Sequence, residues 1–108
     1  MLKRLKRALL PNPFKRLLAR ARRNDKKSFL IVWNRGMGDI ALGLYGLCYR
    51  IREYIPDAQI TFITRSDLEQ AFRLLEGVEV IVDPKMIRGQ FYDVTLLDEY
   101  DEYDIVLD

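Results

Sequence analysis

The stretch SFLIVWNRGMGDIALG, residues 28–43, indicates the fold class of this chain. Five apolar residues follow Ser28 without interruption, as they do in a strand that is buried on both faces of a parallel sheet. Two glycines separated by one residue then mark a turn, and apolar side chains begin to recur at helical spacing. A strand, a glycine turn and a helix in this order predict the first unit of a Rossmann-like sheet.

The predicted helix covers residues 39–55. Its apolar side chains recur at spacings of four, three and four, at Ile40, Leu44, Leu47 and Ile51. This spacing predicts one face packed against the sheet. Glycines at positions 43 and 46 lower the intrinsic stability of the helix, so we expect the strand and helix backbones to pack closely there.

The rest of the chain continues the alternation of strands and helices. We predict a strand in AQITFIT (58–64), a helix in SDLEQAFRLLEG (66–77) opened by a capping box, and strands in VEVIVDP (78–84) and DIVLD (104–108). This order predicts an α/β domain with a doubly wound parallel sheet over residues 28–108. Because ligand-binding loops follow the strand ends in such sheets, a chain that stops at a strand is expected to be part of a longer protein.

Charge is distributed unevenly between the two parts of the chain. Residues 1–27 contain eleven Lys and Arg and one acid, whereas residues 28–108 contain seven Lys and Arg and fifteen acids. The first part predicts two short basic amphipathic helices broken at Pro11–Pro13, which is typical of a leader lying on an anionic membrane surface. The predicted membrane-binding cations are Lys3, Arg4, Lys6, Arg7, Lys15, Arg16 and Arg20.

Two other interpretations of this leader remain open. It could be a solvated helical arm, or an arm that binds nucleic acid. Phe14 is the only aromatic residue within residues 1–27 that could stack on a base. We therefore predict an anionic membrane partner, no nucleic-acid partner, and a peripheral location on the cytoplasmic face of the membrane.

Residue types that are rare or missing exclude several kinds of site. The sequence contains no histidine and one cysteine, Cys48. Catalysis by Ser-His-Asp or Cys-His groups and histidine metal sites are therefore excluded within this chain, and no internal disulfide can form. The acidic stretch DEYDEYD, residues 98–104, lacks the spacing and glycine of a calcium loop, so we predict a solvated loop and no metal site.

The glycine turn allows more than one chemistry. Gly36, Gly38 and Ala41 satisfy the dinucleotide fingerprint G-x-G-x-x-A, and Arg65 stands where a residue that selects a 2′-phosphate would fall. Asp39 argues against this NADP site, because its carboxylate would repel a pyrophosphate. The same carboxylate could cap the helix or accept a proton from a bound hydroxyl.

Two stretches carry a resemblance to a known family: residues 29–84, FLIVWNRGMGDIALGLYGLCYRIREYIPDAQITFITRSDLEQAFRLLEGVEVIVDP, and residues 103–108, YDIVLD. Together they resemble the N-terminal part of glycosyltransferase family 9, the ADP-heptose:lipopolysaccharide heptosyltransferases. The shared features are an apolar strand, a small-residue turn ending in Gly-Asp, a Pro-Asp-Ala-x-Ile approach to the second strand, and a third strand opened by Gly-Val.

The resemblance implies a two-domain GT-B glycosyltransferase that transfers a heptose-like sugar, with inversion, to a lipopolysaccharide-type glycolipid. The N-terminal domain would bind the acceptor, and a C-terminal domain outside this sequence would bind the nucleotide sugar. Asp39 is the general base that the resemblance implies, and no cofactor is expected. The implied acceptor contacts are Asn34, Arg35, Gly36, Met37, Gly38, Lys85 and Arg88.

Without a donor-binding domain, the 108-residue chain is not expected to catalyse transfer by itself. Two alternatives stay open beside the glycosyltransferase. The first is an NADP-binding Rossmann fragment, and the second is a membrane-associated module with no enzymatic activity.

Overall fold

The computed structural model describes residues 4–5, 11–34 and 43–108, and these form a parallel sheet with flanking helices. The strands and helices of the described residues are β1 Arg4–Leu5, α1 Pro11–Arg23, β2 Ser28–Trp33, α2 Tyr45–Tyr54, β3 Gln59–Thr64, α3 Glu69–Phe72, β4 Val78–Val82 and β5 Ile105–Leu107. Strands β2 to β5 coincide with the four predicted strands, so the α/β class and the parallel sheet are confirmed.

The strand order of the sheet is β1-β5-β2-β3-β4, and every neighbouring pair is parallel. From β2 the chain moves to β3 and then to β4 in one direction. It then crosses back and places β5 on the other side of β2. Between β2 and β5 the order therefore reverses, and in sheets of this kind ligands bind outside the carboxyl ends of the strands at such a point.

The larger core lies between the sheet and its three helices. Alternate residues of β2, Phe29 and Ile31, point into it and are fully or almost fully buried. Phe62 of β3 and Phe72 of α3 lie with their ring centroids 4.8 Å apart at its centre. Cys48 of α2 also lies in this core, as expected for a residue on the apolar face of the helix.

The connection between β4 and β5 covers the opposite face of the sheet. Leu30 and Val32 of β2 pack there against Met86 and Val94. Part of the stretch predicted to be a solvated acidic loop also belongs to this smaller core, because Tyr100 and Tyr103 pack against it; the acidic side chains of residues 98, 101 and 102 are exposed.

Helix α1 differs from the predicted leader in both extent and packing. It begins at Pro11 and runs through Pro13 rather than breaking there, because the first backbone N–H groups of a helix have no intrahelical partner and proline lacks only that group. Its apolar residues Phe14, Leu18 and Ala21 are buried in the larger core. The apolar face, which an amphipathic leader would bury in a membrane interface, therefore packs against the protein itself.

The first ten residues were expected to form a helix, and this is wrong where the structure describes them. Arg4 and Leu5 form β1, which pairs with Val106 and Leu107 of β5. Pairing provides partners for the backbone groups of β5, which would otherwise be a sheet edge.

The helix after β3 is shorter than predicted, whereas the first four residues of the helix predicted after β2, 39–42, lie outside the described residues. Residues Gly43 and Leu44 form a π-helical turn before α2. A Cβ placed at Gly43 or Gly46 would have no strand atom within 4 Å, so the expected close packing is wrong. The capping box of the next helix does not form either. Ser66–Leu68 make a 3₁₀ turn without a side-chain cap, and α3 is only four residues long.

Candidate functional site

A polar residue follows each of the strands β2 to β5 at the carboxyl edge of the sheet. Asn34 follows β2, Arg65 follows β3, Asp83 follows β4 and Asp108 follows β5. Because all these strands are parallel, their carboxyl ends lie along the same edge. This edge is therefore where the chain concentrates hydrogen-bonding and charged groups.

Asn34 connects three segments of this edge through its amide. Its Nδ2 donates to the carbonyl oxygens of Ile87 and Gln90, at 3.0 and 3.1 Å. Its Oδ1 accepts a hydrogen bond of 2.8 Å from Nη1 of Arg65. Both hydrogens of the amide are donated to carbonyl oxygens of the loop after β4, so Asn34 positions this loop in the structure.

Arg65 is buried, with 5% of its surface exposed, although it carries a full charge. Its Nε donates to Oδ1 of Asp67 at 2.9 Å, as expected for an arginine with a carboxylate two residues away. This hydrogen bond is the main reason that the pKa of Asp67 lies below its usual value, and the charge of Arg88 contributes a smaller lowering. A buried guanidinium held by Asn34 and Asp67 is not presented to a 2′-phosphate, which weakens the NADP interpretation.

A cleft of about 360 Å³ opens between the carboxyl ends of β2 and β5. This volume falls within the range of small-molecule sites. The described residues that line it are Ile31, Val32, Trp33, Asn34, Leu47, Gly89, Gln90, Phe91, Tyr92, Leu107 and Asp108.

The walls of the cleft are mainly apolar, and a few polar groups stand at its rim. Trp33 forms one wall and is held edge-to-face by Phe72, with ring centroids 6.4 Å apart. Phe91 is 84% exposed, so its ring is available to a bound molecule. The polar residues that line the cleft are Asn34, Gln90, Tyr92 and Asp108.

The loop that carries Phe91 is closed by a tyrosine–aspartate pair. Tyr92 donates its hydroxyl hydrogen to Oδ2 of Asp83, and the backbone N–H of Lys85 donates to Oδ1. The hydrogen bond from Tyr92 is the main reason that the pKa of Asp83 is lowered. Burial, followed by the same hydrogen bond, raises the pKa of Tyr92. Both shifts favour the charged aspartate and the neutral tyrosine that the loop requires.

The structure assigns different positions to the residues predicted to contact an acceptor. Asn34 lines the cleft, whereas Lys85 and Arg88 are exposed on the loop after β4 and do not line it. The predicted base and the remaining acceptor contacts lie outside the described residues; these are Arg35, Gly36, Met37, Gly38 and Asp39.

Lys85 faces a second hollow that is strongly acidic. The acidic residues that line it are Asp83, Asp93, Asp98 and Glu99. An anionic acceptor group would be repelled there, so the geometry does not favour the predicted role of Lys85. Phe91 stands between this hollow and the cleft and lines both.

The predicted membrane-binding cations fall into two groups. Lys15, Arg16 and Arg20 are exposed on α1. Arg4 lies in β1, where the structure describes the backbone pairing alone. Lys3, Lys6 and Arg7 lie outside the described residues.

Three loop residues that line the cleft were not among the predicted site residues. Gln90, Phe91 and Tyr92 follow Gly89, which has a φ of 78°. The sequence feature that could have indicated them is the pair of adjacent aromatic residues, Phe91 and Tyr92, in a polar loop between two strands. Their position could not be derived from sequence, because it depends on how the β4–β5 connection crosses the sheet.

Neither a metal site nor a membrane-spanning helix is found in the part of the chain that the structure describes. No group of three or more His, Cys, Asp or Glu residues in that part could hold a metal ion. None of its helices is long and apolar enough to cross a membrane. Comparisons with protein-family models, with curated proteins and with solved structures find no match to this chain.

Proposed function

We propose that this chain is the acceptor-binding domain of an inverting glycosyltransferase of the heptosyltransferase type, with Asp39 as the general base. One observation carries the proposal: a cleft of ligand size lies at the β2–β5 switch point. Asn34 lines this cleft, and Asp39 follows it in the chain by five residues. The other support is the resemblance of residues 29–84 and 103–108 to the glycosyltransferase family.

The composition of the cleft suits a sugar acceptor. A pyranose ring has apolar C–H faces and a rim of hydroxyl groups. The exposed ring of Phe91 and the wall formed by Trp33 could cover a C–H face. Asp108 and Gln90 could accept or donate hydrogen bonds at the rim. The attacking hydroxyl would then need one carboxylate within hydrogen-bond reach to take its proton, which is the role proposed for Asp39.

The substitution Asp39→Asn in the full-length gene product tests this role. Asparagine can cap a helix as well as aspartate does, but it cannot accept the proton at neutral pH. We expect the thermal midpoint to change little and kcat for transfer from a nucleotide-linked heptose to a lipid A-type acceptor to fall about 100-fold or more.

Asp57→Asn is the matched control for this experiment. Asp57 is exposed and pairs with Lys27 at 2.7 Å, and it precedes β3 at the opposite edge of the sheet from the cleft. We expect this variant to retain the parent kcat. If Asp39→Asn also retains it, Asp39 is a helix cap and the proposed mechanism fails. Saturable binding of NADPH in place of transfer would favour the Rossmann coenzyme alternative.

A further inference from the structure

Helix α1 presents a continuous basic surface to solvent. Its five charged residues are all cations, Lys15, Arg16, Arg20, Arg22 and Arg23, and all are exposed. Thirteen residues of α-helix extend for about 20 Å. The described part of α1 therefore forms a rod of positive charge along the outer side of the helical layer.

A neighbouring helix extends this basic surface. Arg50 of α2 lies across an open groove of about 460 Å³ from Lys15 and Arg22, and Glu53 is the single acid among the described residues that line it. The groove therefore contains three cations and one carboxylate. A phosphate group has the size and charge to enter such a groove, because its oxygens can accept hydrogen bonds from several cations at once.

The packing of α1 limits how this surface can contact a partner. Phe14 is 6% exposed, Leu18 is fully buried and Ala21 is 3% exposed, all of them in the core of the domain. An interfacial helix normally binds a bilayer by burying such a face among the acyl chains. In α1 that face is already occupied by the core, and the five exposed cations remain available for binding.

We propose that α1 and Arg50 attach the domain to an anionic membrane surface by charge alone, without insertion of α1 into the bilayer. The choice of a membrane over a nucleic acid rests on the proposed function, whose acceptor is a glycolipid. It agrees with the burial of Phe14, which leaves α1 without an aromatic ring to stack on bases. The phosphates of lipid headgroups are the groups that the cations would meet.

Co-sedimentation of the gene product with phosphatidylglycerol–phosphatidylcholine vesicles tests the proposal. Each cation near an anionic surface strengthens binding about fivefold. The double variant Arg16→Gln/Arg20→Gln should therefore bind about 25-fold more weakly than the parent. Binding of the parent should fall at least tenfold between 0.05 and 0.5 M NaCl, because salt screens such contacts. Vesicles of phosphatidylcholine alone should not sediment the protein.

The single variant Arg16→Gln should bind about fivefold more weakly than the parent. Its matched control removes one exposed cation elsewhere, in Arg73→Gln. This variant should bind within about threefold of the parent. Equal loss in both variants would show that only net charge matters, and salt-independent binding would show that another segment inserts; either result overturns the proposal. Tighter binding to duplex RNA than to anionic vesicles would also overturn it.

Circular dichroism of each variant verifies that it is folded before binding is measured. The vesicle assay does not depend on sugar transfer, so the two proposals can fail separately. Asp39→Asn should bind vesicles as the parent does, whether or not it loses transfer.

Discussion

At the scale of single residues, the amide of Asn34 determines how the cleft is built. One side chain satisfies two carbonyl oxygens of the loop after β4 and one N–H of a buried guanidinium. An amide is suited to this position because it has two donors and an acceptor on one planar group. The resemblance implied that Asn34 contacts an acceptor. The structure shows that its hydrogen bonds join the ends of β2 and β3 to the loop after β4.

The substitution Asn34→Asp separates these two sets of hydrogen bonds. Aspartate has the same shape and can still accept from Arg65, but it has no hydrogens to donate to Ile87 and Gln90. We expect the loop to detach, with a loss of about 1–3 kcal/mol in the free energy of unfolding, because two carbonyl oxygens would face a carboxylate. Hydrogen exchange of the Gln90 amide, which donates to Ile87 at 3.1 Å, should become faster.

The control for this prediction is Asn24→Asp, the same change at an exposed position after α1. It should alter the free energy of unfolding by less than about 0.5 kcal/mol. Unchanged exchange at Gln90 in Asn34→Asp would show that the loop is held by other contacts.

At the scale of elements, the end of α1 is a Schellman-type turn closed by an unusual residue. Lys26 N–H donates to the carbonyl oxygen of Ala21 at 2.8 Å, and Asp25 adopts a φ of 56°. Glycine is the common residue at this position of the turn, because a side chain disfavours the left-handed conformation. Asp25 tolerates it better than most residues, since aspartate and asparagine are enriched there.

Replacement of Asp25 tests the conformational strain of this turn. We expect Asp25→Gly to raise the free energy of unfolding by about 0.5–1 kcal/mol, because glycine adopts positive φ without steric penalty. Asp25→Ala should lower it by a similar amount, since alanine lacks both this freedom and a polar side chain. Urea unfolding of the three proteins measures the difference. Equal stability of the two variants would indicate that the backbone is not in the left-handed region.

At the scale of the whole molecule, Asp104 connects the start of β2 with the start of β5. Its Oδ2 accepts from the backbone N–H groups of Lys27 and Ser28, at 3.0 and 3.2 Å, across more than seventy residues of chain. Burial, the largest single influence, raises the pKa of Asp104. The hydrogen bonds from Lys27 and Ser28 outweigh it, so the pKa lies below its ordinary value.

This lowered pKa predicts how the stability of the domain depends on pH. A carboxyl whose pKa is lower in the folded state stabilises the fold above its ordinary pKa of about 4, and this stabilisation is lost as the pH falls through the folded pKa. We expect Asp104→Asn to be about 1–2 kcal/mol less stable than the parent at pH 7. Its stability should also decline less between pH 5 and pH 3.

Urea midpoints across this pH range measure the effect, and Asp98→Asn, at an exposed position of the same connection, is the control. An acid-induced decline that is equally steep in the parent and in Asp104→Asn would show that Asp104 does not link the two strands through its ionised form.

The local sequence was sufficient to predict strands β2 to β5 and the parallel sheet. Each strand is a short apolar run bounded by polar or turn residues, and a run that is apolar on both faces can be buried only between two covering layers. The pairing of Arg65 with Asp67 was also predictable, because the two residues are close in the chain. Helix ends were predicted less well, since α3 stops at Phe72 although the apolar pattern continues.

Only the tertiary structure determined the use of the amphipathic segment and the composition of the cleft. The apolar pattern of α1 predicts that one face is buried, but burial in a protein core and burial in a bilayer fit that pattern equally well. The packing of Phe14 and Leu18 against the sheet decided between them. The cleft joins Asn34, Phe91 and Asp108, which are far apart in the chain. Such a site depends on strand order and on the path of a crossing connection, and neither is encoded in local periodicity.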